Sequence, residues 1–428
     1  MILELNQARE LEPSNAAILL ELGIAHGERK EWHAALTALR RAVAIAPGSV
    51  QAHYNLALTL DRAHPGTGAG VTEYRAALKL DPQHVDSLMN LGVHFGDSNP
   101  AEAKLLFERA LRIAPANAKV HLNLALLLGR QAEESASVSE FEKAIRLDPN
   151  LLEARRQLVS VLVTQQRWPQ AVEQCRQILQ RDPDDAATRY TLARSLNHSG
   201  QREEGKKEME QSQMLRKRAQ DRQEASQLQL SGIRDLRASQ TQEAVNAFTS
   251  AVRLDDSATN HMYLGIALIR TGDVETGLRE LNAALQMEPH NARIRLNLGS
   301  VYLQHGEEKR ARSEIEKALE LDPWLAEAHN NLGMILAKGD QFEDAARHFR
   351  VAADLDPNYL EAVFNLGLAL RNMNRIDGAL KAFRRAAEIA PDSPQAQYAL
   401  GMTLRDKGDA TGARVALDRA AALRRQGK

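Results

Sequence analysis

One cysteine, Cys175, stands in 428 residues, so no internal disulfide framework holds this chain together. Aromatic residues are scarce at 4%. Alanine and leucine must therefore build the core, an economy of packed helices rather than of sheets. Net charge is missing as well: 55 Lys+Arg against 56 Asp+Glu leave a formal charge of −1. That balance removes bulk electrostatic attraction to nucleic acid or to a membrane surface. No apolar run approaches the roughly 20 residues that cross a bilayer. The opening residues meet an acid at Glu4 with no basic stretch and apolar core around it, so no secretion signal is read there. The expectation is a cytoplasmic protein. With 43% apolar and 26% charged residues, the composition is that of a folded chain rather than a disordered one.

What the sequence has is a period. Pro13, Pro47, Pro82, Pro115, Pro149 and Pro183 follow one another at 33 to 35 residues, and Pro289, Pro323, Pro357 and Pro391 at 34. Several close a Leu-Asp-Pro tail, as at Leu80-Asp81-Pro82 and Leu321-Asp322-Pro323. Other stations keep the beat: Leu22-Gly23, Leu298-Gly299, Leu332-Gly333 and Leu366-Gly367; Ala35, Ala171, Ala311, Ala345 and Ala379; Ala42, Ala144, Ala318, Ala352 and Ala386. Turn signals such as Gly272-Asp273 and Gly408-Asp409 lie between the small-residue stations. Each unit thus predicts two short amphipathic helices, A and B, with apolar residues at three- and four-residue spacing. Small side chains let their axes approach, and the proline ends helix B. Neither helix buries its apolar face alone; stacking on the next unit does so.

This helix-turn-helix of 34 residues, with its Leu-Gly, Ala, Ala and Pro stations, resembles the tetratricopeptide repeat family. The resemblance implies an all-α, right-handed superhelical α-solenoid. The large aromatic frequent early in helix A of that family is mostly replaced by His53, His121, His261 and His329. Twelve repeats are counted behind a half repeat. Residues 1–15 read as a lone helix B, 16–219 as repeats one to six, and 220–428 as repeats seven to twelve. Two inner turns are altered, one residue longer between Asp61 and Gly70 and one shorter between Gly96 and Pro100. At the seam, 201–224, 13 of 24 residues are charged with no proline. It reads either as a long exposed helix running from repeat six toward repeat seven or as a flexible charged linker.

Catalytic constellations are not found in this pattern. The histidines offer no His-Glu-x-x-His and no zinc spacing. Cys175 occupies the helix B core station that Phe107, Phe141, Phe349 and Phe383 fill elsewhere, which reads as a buried small hydrophobe. The glycine-rich run 66–70 follows a helix rather than a strand and lacks a following Gly-Lys-Ser/Thr, so it reads as a lengthened turn and not a phosphate cradle. No enzyme activity and no cofactor or metal is expected.

In the resembled family helix A lines the concave surface, and the residue before the Leu of the Leu-Gly station faces inward. Here that residue is Asn55, Asn90 and Asn123 in three successive repeats and Asn297, Asn331 and Asn365 in three more. A carboxamide offers two donors and an acceptor, so a ladder of them can hold a peptide by its backbone whatever its side chains. The arrangement resembles the asparagine ladder of the repeat domain of O-linked N-acetylglucosamine transferases. The bland alternative is that these amides solvate the groove or bond to a neighbouring helix. Tyr54, Met89, Leu122, Met334, Phe364 and Tyr398 are the candidate apolar contacts. Arg371 and Arg405 are candidate contacts for acidic ligand residues, with Arg62, Arg130, Arg270 and Lys338 at the same station.

The resulting expectation is a protein–protein interaction scaffold that takes an extended peptide or a partner helix in its groove. The competing expectation is the non-catalytic recruiting region of a larger enzyme such as a glycosyltransferase. A chain that opens on a helix B and closes without a polar capping helix is further expected to self-associate, to be covered by a partner, or to be a piece of something longer.

Overall fold

The computed structural model describes residues 2–426, and over those residues the chain is α-helical with no strand. Two compact units divide it, Met1–Lys217 and Arg218–Lys428. The first contains α1 (Ile2–Leu11), α2 (Ala16–Glu28), α3 (Trp32–Ile45), α4 (Val50–Ala63), α5 (Val71–Leu80), α6 (Val85–Ser98) and α7 (Pro100–Ile113). It continues with α8 (Ala118–Arg130), α9 (Glu134–Leu147), α10 (Leu152–Thr164), α11 (Trp168–Leu179) and α12 (Ala186–His198). Next comes α13 (Arg202–Arg237), 36 residues without a break, which occupies the charged seam. The second unit holds α14 (Thr241–Leu254), α15 (Ala258–Thr271), α16 (Val274–Met287), α17 (Ala292–Gln304), α18 (Glu308–Leu321) and α19 (Ala326–Lys338). It ends with α20 (Phe342–Leu355), α21 (Leu360–Asn372), α22 (Ile376–Ile389), α23 (Pro394–Asp406) and α24 (Ala410–Gln426).

Local chemistry sets these boundaries. In the Leu-Asp-Pro tail the aspartate leaves helical geometry, at φ −140° and ψ 95° for Asp322, because a residue before proline is pushed toward extended backbone. Its carboxylate then accepts the N–H two residues on, Trp324 onto Asp322 at 3.0 Å and Gln83 onto Asp81 at 2.9 Å, an Asx turn that holds the corner. Helix A restarts behind a side-chain cap in many repeats: Asn15, Asn117, Asp185 and Asn291 each accept from two backbone N–H groups of the first turn. Between helices A and B sits one left-handed residue, whether glycine (Gly200, Gly272, Gly306, Gly408) or not (Lys30, Ala132, Gln166, Ser239, Asp340, Asn374). The two inner turns that differ in length lack this pattern. In repeat two Gly66 and Gly68 both take positive φ, and α5 begins late, at Val71. The N–H of Gly70 is held by the carboxylate of Asp61 at 2.9 Å, an acid where a phosphate site would need a vacant donor.

Packing is between neighbours. Leu296, Ala311 and Ile315 of repeat nine share a cluster with Leu332, Ala345 and Phe349 of repeat ten and Ala369 of repeat eleven. The Leu-Gly station exists because a side chain of helix B lies across it: a Cβ on Gly333 would stand 2.7 Å from the Phe349 ring. Consecutive helices A touch within each unit, α2 with α4, α6 with α8, α8 with α10, α17 with α19 and α19 with α21, whereas no two consecutive helices B pack comparably. Such wedge-like stacking curves each unit with its A helices on the inside.

Helix α13 serves two repeats. Its first turns act as helix B of repeat six, where Ser212 Oγ donates to Ala186 O at 2.7 Å and Arg189 meets Glu208 at 2.6 Å. Its last turns act as helix A of repeat seven, where Gly232 lies against Phe248.

Candidate functional site

The six asparagines all lie on A helices, at one register position, and all are half-buried. Five of the six amides already donate within the chain. Asn55 and Asn123 donate to the carbonyls of Gln51 and Lys119, one turn back, at 2.9 and 3.0 Å. Asn90 points its Nδ2 at the Tyr54 hydroxyl of the preceding helix A at 3.5 Å. Asn331 donates to Ser300 Oγ at 2.9 Å and Asn365 to Asn330 Oδ1 at 3.0 Å, each on the preceding helix A. Asn297 makes no such bond among the described residues. Three of the six amides therefore tie neighbouring A helices together and two bond within their own helix, while among the described residues all six Oδ1 acceptors and at least one N–H of each amide have no partner.

The apolar candidates separate into two groups. Leu122 is 6% exposed and belongs to the core with Ala125, Val138 and Phe141. As a groove contact it is a correction: it sits two residues before the Leu-Ala station, and in repeat four that position turns into the seam with repeat five. Met89 packs partly into the cluster around Phe107, and Phe364 lies edge-on to Phe383, ring centroids 5.4 Å apart. Tyr54 is half-buried between Tyr74 and His84. Burial, with the charge of Asp86, raises its hydroxyl pKa, so it stays a neutral donor. Met334 and Tyr398 are the open ones, 37% and 43% exposed, and Arg424 lies over the Tyr398 ring at 5.2 Å.

Among the cations, three already have carboxylates from an adjacent repeat: Arg130 with Asp97 at 2.7 Å, Arg371 with Asp406 at 2.7 Å, and Lys338 with Glu308. Arg62, Arg270 and Arg405 are exposed and carry no ion pair among the described residues. Arg405 is thus available to a ligand, whereas Arg371 would have to leave Asp406 first.

A second periodic device was invisible in the sequence reading. The histidine station of helix A is a hydrogen-bonded bridge to helix B. His53 Nδ1 meets Glu73 at 2.6 Å while Nε2 meets Pro47 O at 3.1 Å. His121 repeats this with Glu140 at 2.5 Å and Pro115 O at 3.0 Å, and Arg295 with Glu314 at 2.7 Å and Pro289 O at 2.8 Å. Each bridge ties helix A to its own helix B and to the preceding corner. The recoverable signal was a basic residue followed 19 or 20 positions later by glutamate. Repeat ten breaks it: His329 Nδ1 faces His348 Nδ1 at 2.9 Å. Cys175, fully buried among Val159, Val172 and Ile178, has its thiol pushed up to about 12 by burial. It is no nucleophile.

Among the described residues no group of three or more His, Cys, Asp or Glu is arranged to hold a metal, and no helix is long and apolar enough to cross a membrane.

Three models described as tetratricopeptide repeat match: one over residues 3–50, 20–64, 264–324 and 309–359, one over 162–229 and 336–402, and one over 118–151. A curated relative, Protein O-mannosyl-transferase TMTC3 of Homo sapiens, is 24% identical over 194 residues, 44% of this chain. The match spans about a fifth, 21%, of that relative's length. Solved structures with a similar fold include YrrB, titled a TPR protein with an unusual peptide-binding site (28% identity, TM-score 0.37, 42% of this chain and 93% of that one). MamA is 26% identical, with TM-score 0.36 over 38% of this chain and 96% of that one. The Cut9-Hcn1 assembly of the APC/C is 16% identical, with TM-score 0.44 over 99% of this chain and 90% of that one. The matched segments together take in most of the repeats, and the chain belongs to the tetratricopeptide repeat family.

Proposed function

We propose that this chain is a protein–protein interaction scaffold that receives an extended peptide along the helix A face of its repeats and turns over no substrate. The observation that carries this is the asparagine register. Six amides at one helical position, half-exposed on the inner face, each keep an unengaged Oδ1 acceptor. An extended peptide has unpaired N–H groups along its length, and such acceptors at repeat spacing pair with them without reading side chains. Arg405, Met334 and Tyr398 supply charge and apolar contact beside the ladder in the second unit.

Replacing Asn297, Asn331 and Asn365 together by Ala tests the ladder. A phage-displayed random peptide library selected on the full chain supplies the ligands, and fluorescence anisotropy compares wild type with the triple variant. Binding weakened about tenfold or more, with helicity retained, is the expected outcome. Affinity unchanged in the triple variant would reduce the amides to inter-helix stitching.

A second reading has its own observation. The similarity to Protein O-mannosyl-transferase TMTC3 favours a recruiting region of a larger glycosyltransferase. Finding a glycosyltransferase domain in the gene on either side of this segment would select that reading; the groove would then hold the acceptor polypeptide.

A further inference from the structure

Repeat six breaks the amide register, and its helix A face carries charge instead. At the asparagine position α12 has Thr191, whose hydroxyl is engaged on Ala187 O at 3.0 Å. Three residues further on, where repeats three, ten and eleven expose Val93, Met334 and Leu368, it exposes Arg194. Arg194 lines a hollow between α10 and α12 with Ser160 and Thr191, on the face that carries the asparagines in other repeats.

A second arginine joins it from the seam. One period after the corner Asp182-Pro183 falls on Arg216-Lys217. Arg216 therefore stands where other repeats put the aspartate of the Asx turn. Because α13 runs on without a corner, no aspartate is needed there. The Arg216 guanidinium lies over the Tyr190 ring, 4.8 Å from its centroid, and that of Arg194 lies 5.9 Å from the same centroid. All three residues belong to the first unit.

Neither guanidinium has a carboxylate partner among the described residues, and the Tyr190 hydroxyl has no hydrogen bond among them. Four carboxylates in and beside this repeat already serve other arginines: Glu204 with Arg176, Glu208 with Arg189, and Asp182 and Asp185 with Arg156. Elsewhere an arginine on a ring keeps an acid. Arg75 over Phe95 has Glu102 at 3.8 Å, and Arg310 over Tyr302 has Glu307 at 2.7 Å. Around Tyr190 the ring gathers two cations that repel each other, and an anion bound to both relieves the repulsion.

The donor set chooses the anion. A guanidinium is a planar fork of N–H donors, and one carboxylate satisfies one fork through two parallel bonds. It would leave the second arginine uncompensated. A phosphate monoester carries a charge of about −1.5 to −2 at neutral pH and three acceptor oxygens, which suits two forks and a phenol together. Resting on the groove reading above, we infer that repeat six binds a phosphorylated side chain of the partner segment. Arg194 and Arg216 hold the phosphoryl oxygens and the Tyr190 hydroxyl donates to one of them. The source is a protein rather than a lipid because Arg194 shares its helix face with the peptide-binding register.

The test uses the full chain and fluorescein-labelled Ala-Gly peptides with one central phosphoserine, glutamate or serine, read by anisotropy at physiological salt. Phosphoserine should bind about tenfold or more tighter than glutamate or serine, and inorganic phosphate should compete. Both arginines are exposed, so Arg194→Gln and Arg216→Gln should retain helicity by circular dichroism and each abolish most of that preference. Arg194→Lys keeps the charge without the fork and should keep only part of it; Tyr190→Phe should lose severalfold. Arg112→Gln, at an exposed arginine of α7 without an ion pair among the described residues, should leave it intact. Equal affinity for phosphoserine and glutamate, indifference to the two arginine variants, or an equal loss in Arg112→Gln overturns the inference. Tighter binding to phosphatidic acid vesicles than to the phosphopeptide gives the site to a lipid headgroup and overturns it as well. So does no binding of any peptide. The Asn297, Asn331 and Asn365 triple variant lies in the second unit and should keep the phosphoserine preference. Loss of that preference in the arginine variants and loss of library-peptide affinity in the asparagine variant thus fail independently.

Discussion

Gly333→Ala sets two opposed effects against each other at one atom. In an exposed helix interior the change is stabilising by about 1 kcal/mol, through helix propensity alone. Here the new methyl would stand 2.7, 2.8 and 3.0 Å from Cε1, Cδ1 and Cζ of Phe349, against an optimum of about 3.5–4.0 Å for carbon pairs. The ring is 2% exposed and walled by Ala311, Ile315 and Leu332, so it cannot swing into solvent, and roughly 1 Å of movement must come from the helices. Overpacking of that kind costs about 1–3 kcal/mol, which exceeds the propensity gain. Net destabilisation of about 1 kcal/mol is expected, confined to the second unit because packing is nearest-neighbour. Repeat four shows that the methyl is not forbidden: Ala125 and Phe141 occupy the same two stations there, in a helix pair assembled around them. Gly333→Ala combined with Phe349→Leu, which removes the obstructing ring atoms, should therefore lose less than the sum of the two single changes, by about 1 kcal/mol in the double-mutant cycle. Urea unfolding read with hydrogen exchange on α19 and α20 measures all four corners. A stabilised single variant, or a cycle that adds without coupling, would refute the claim that this glycine is required by contact.

Ala132 holds the left-handed turn position of repeat four at φ 59°, where a Cβ is strained. Ala132→Gly should stabilise by about 1 kcal/mol in urea unfolding, opposite to the usual sign for a glycine substitution. At repeat ten, burial and then the neighbouring His329 and Arg347 hold the His348 pKa below the ordinary imidazole value, opposed by Asp344 and Glu316. The folded chain thus binds that proton less readily than the unfolded one. Its contribution to stability is whole above the unfolded value near 6.5 and declines as the pH falls below it. His348→Glu, which rebuilds the bridge of the other repeats, should abolish that acid-side loss when exchange protection of α19 and α20 is compared at pH 7.5 and 5.5. His261 has the contrary sign. Burial opposes its proton, but the hydrogen bonds and charges of Asp256 and Glu280 prevail and raise its pKa. Its contribution is present at acid pH and fades as pH rises through the folded value. Finally, Cys175, its thiol pushed up to about 12 by burial, should resist maleimide at pH 8 in the folded chain and react fully in urea.

The sequence by itself determined everything that depends on neighbours along the chain. Helix pairs, corners and small-residue stations are local, and repetition made each of them readable several times over: Asp322-Pro323 could end a helix in only one way, and Leu332-Gly333 could face only something bulky. The asparagine register was legible for the same reason. What only the tertiary structure decided lies between helices. The sequence could not say that Asn331 and Asn365 already hold the preceding helix, that Leu122 turns into the core, or that the histidine station is a bridge whose glutamate comes 19 or 20 residues later. Nor could it show that α13 stays helical through its charged stretch, since charge alone suits a solvated helix and a linker equally. The hollow between α8 and α10, lined by Gln157 and Ser160, was the least legible feature of all. A cavity is defined by atoms that are missing from several helices at once, and no pattern along one strand of sequence records where side chains fail to meet.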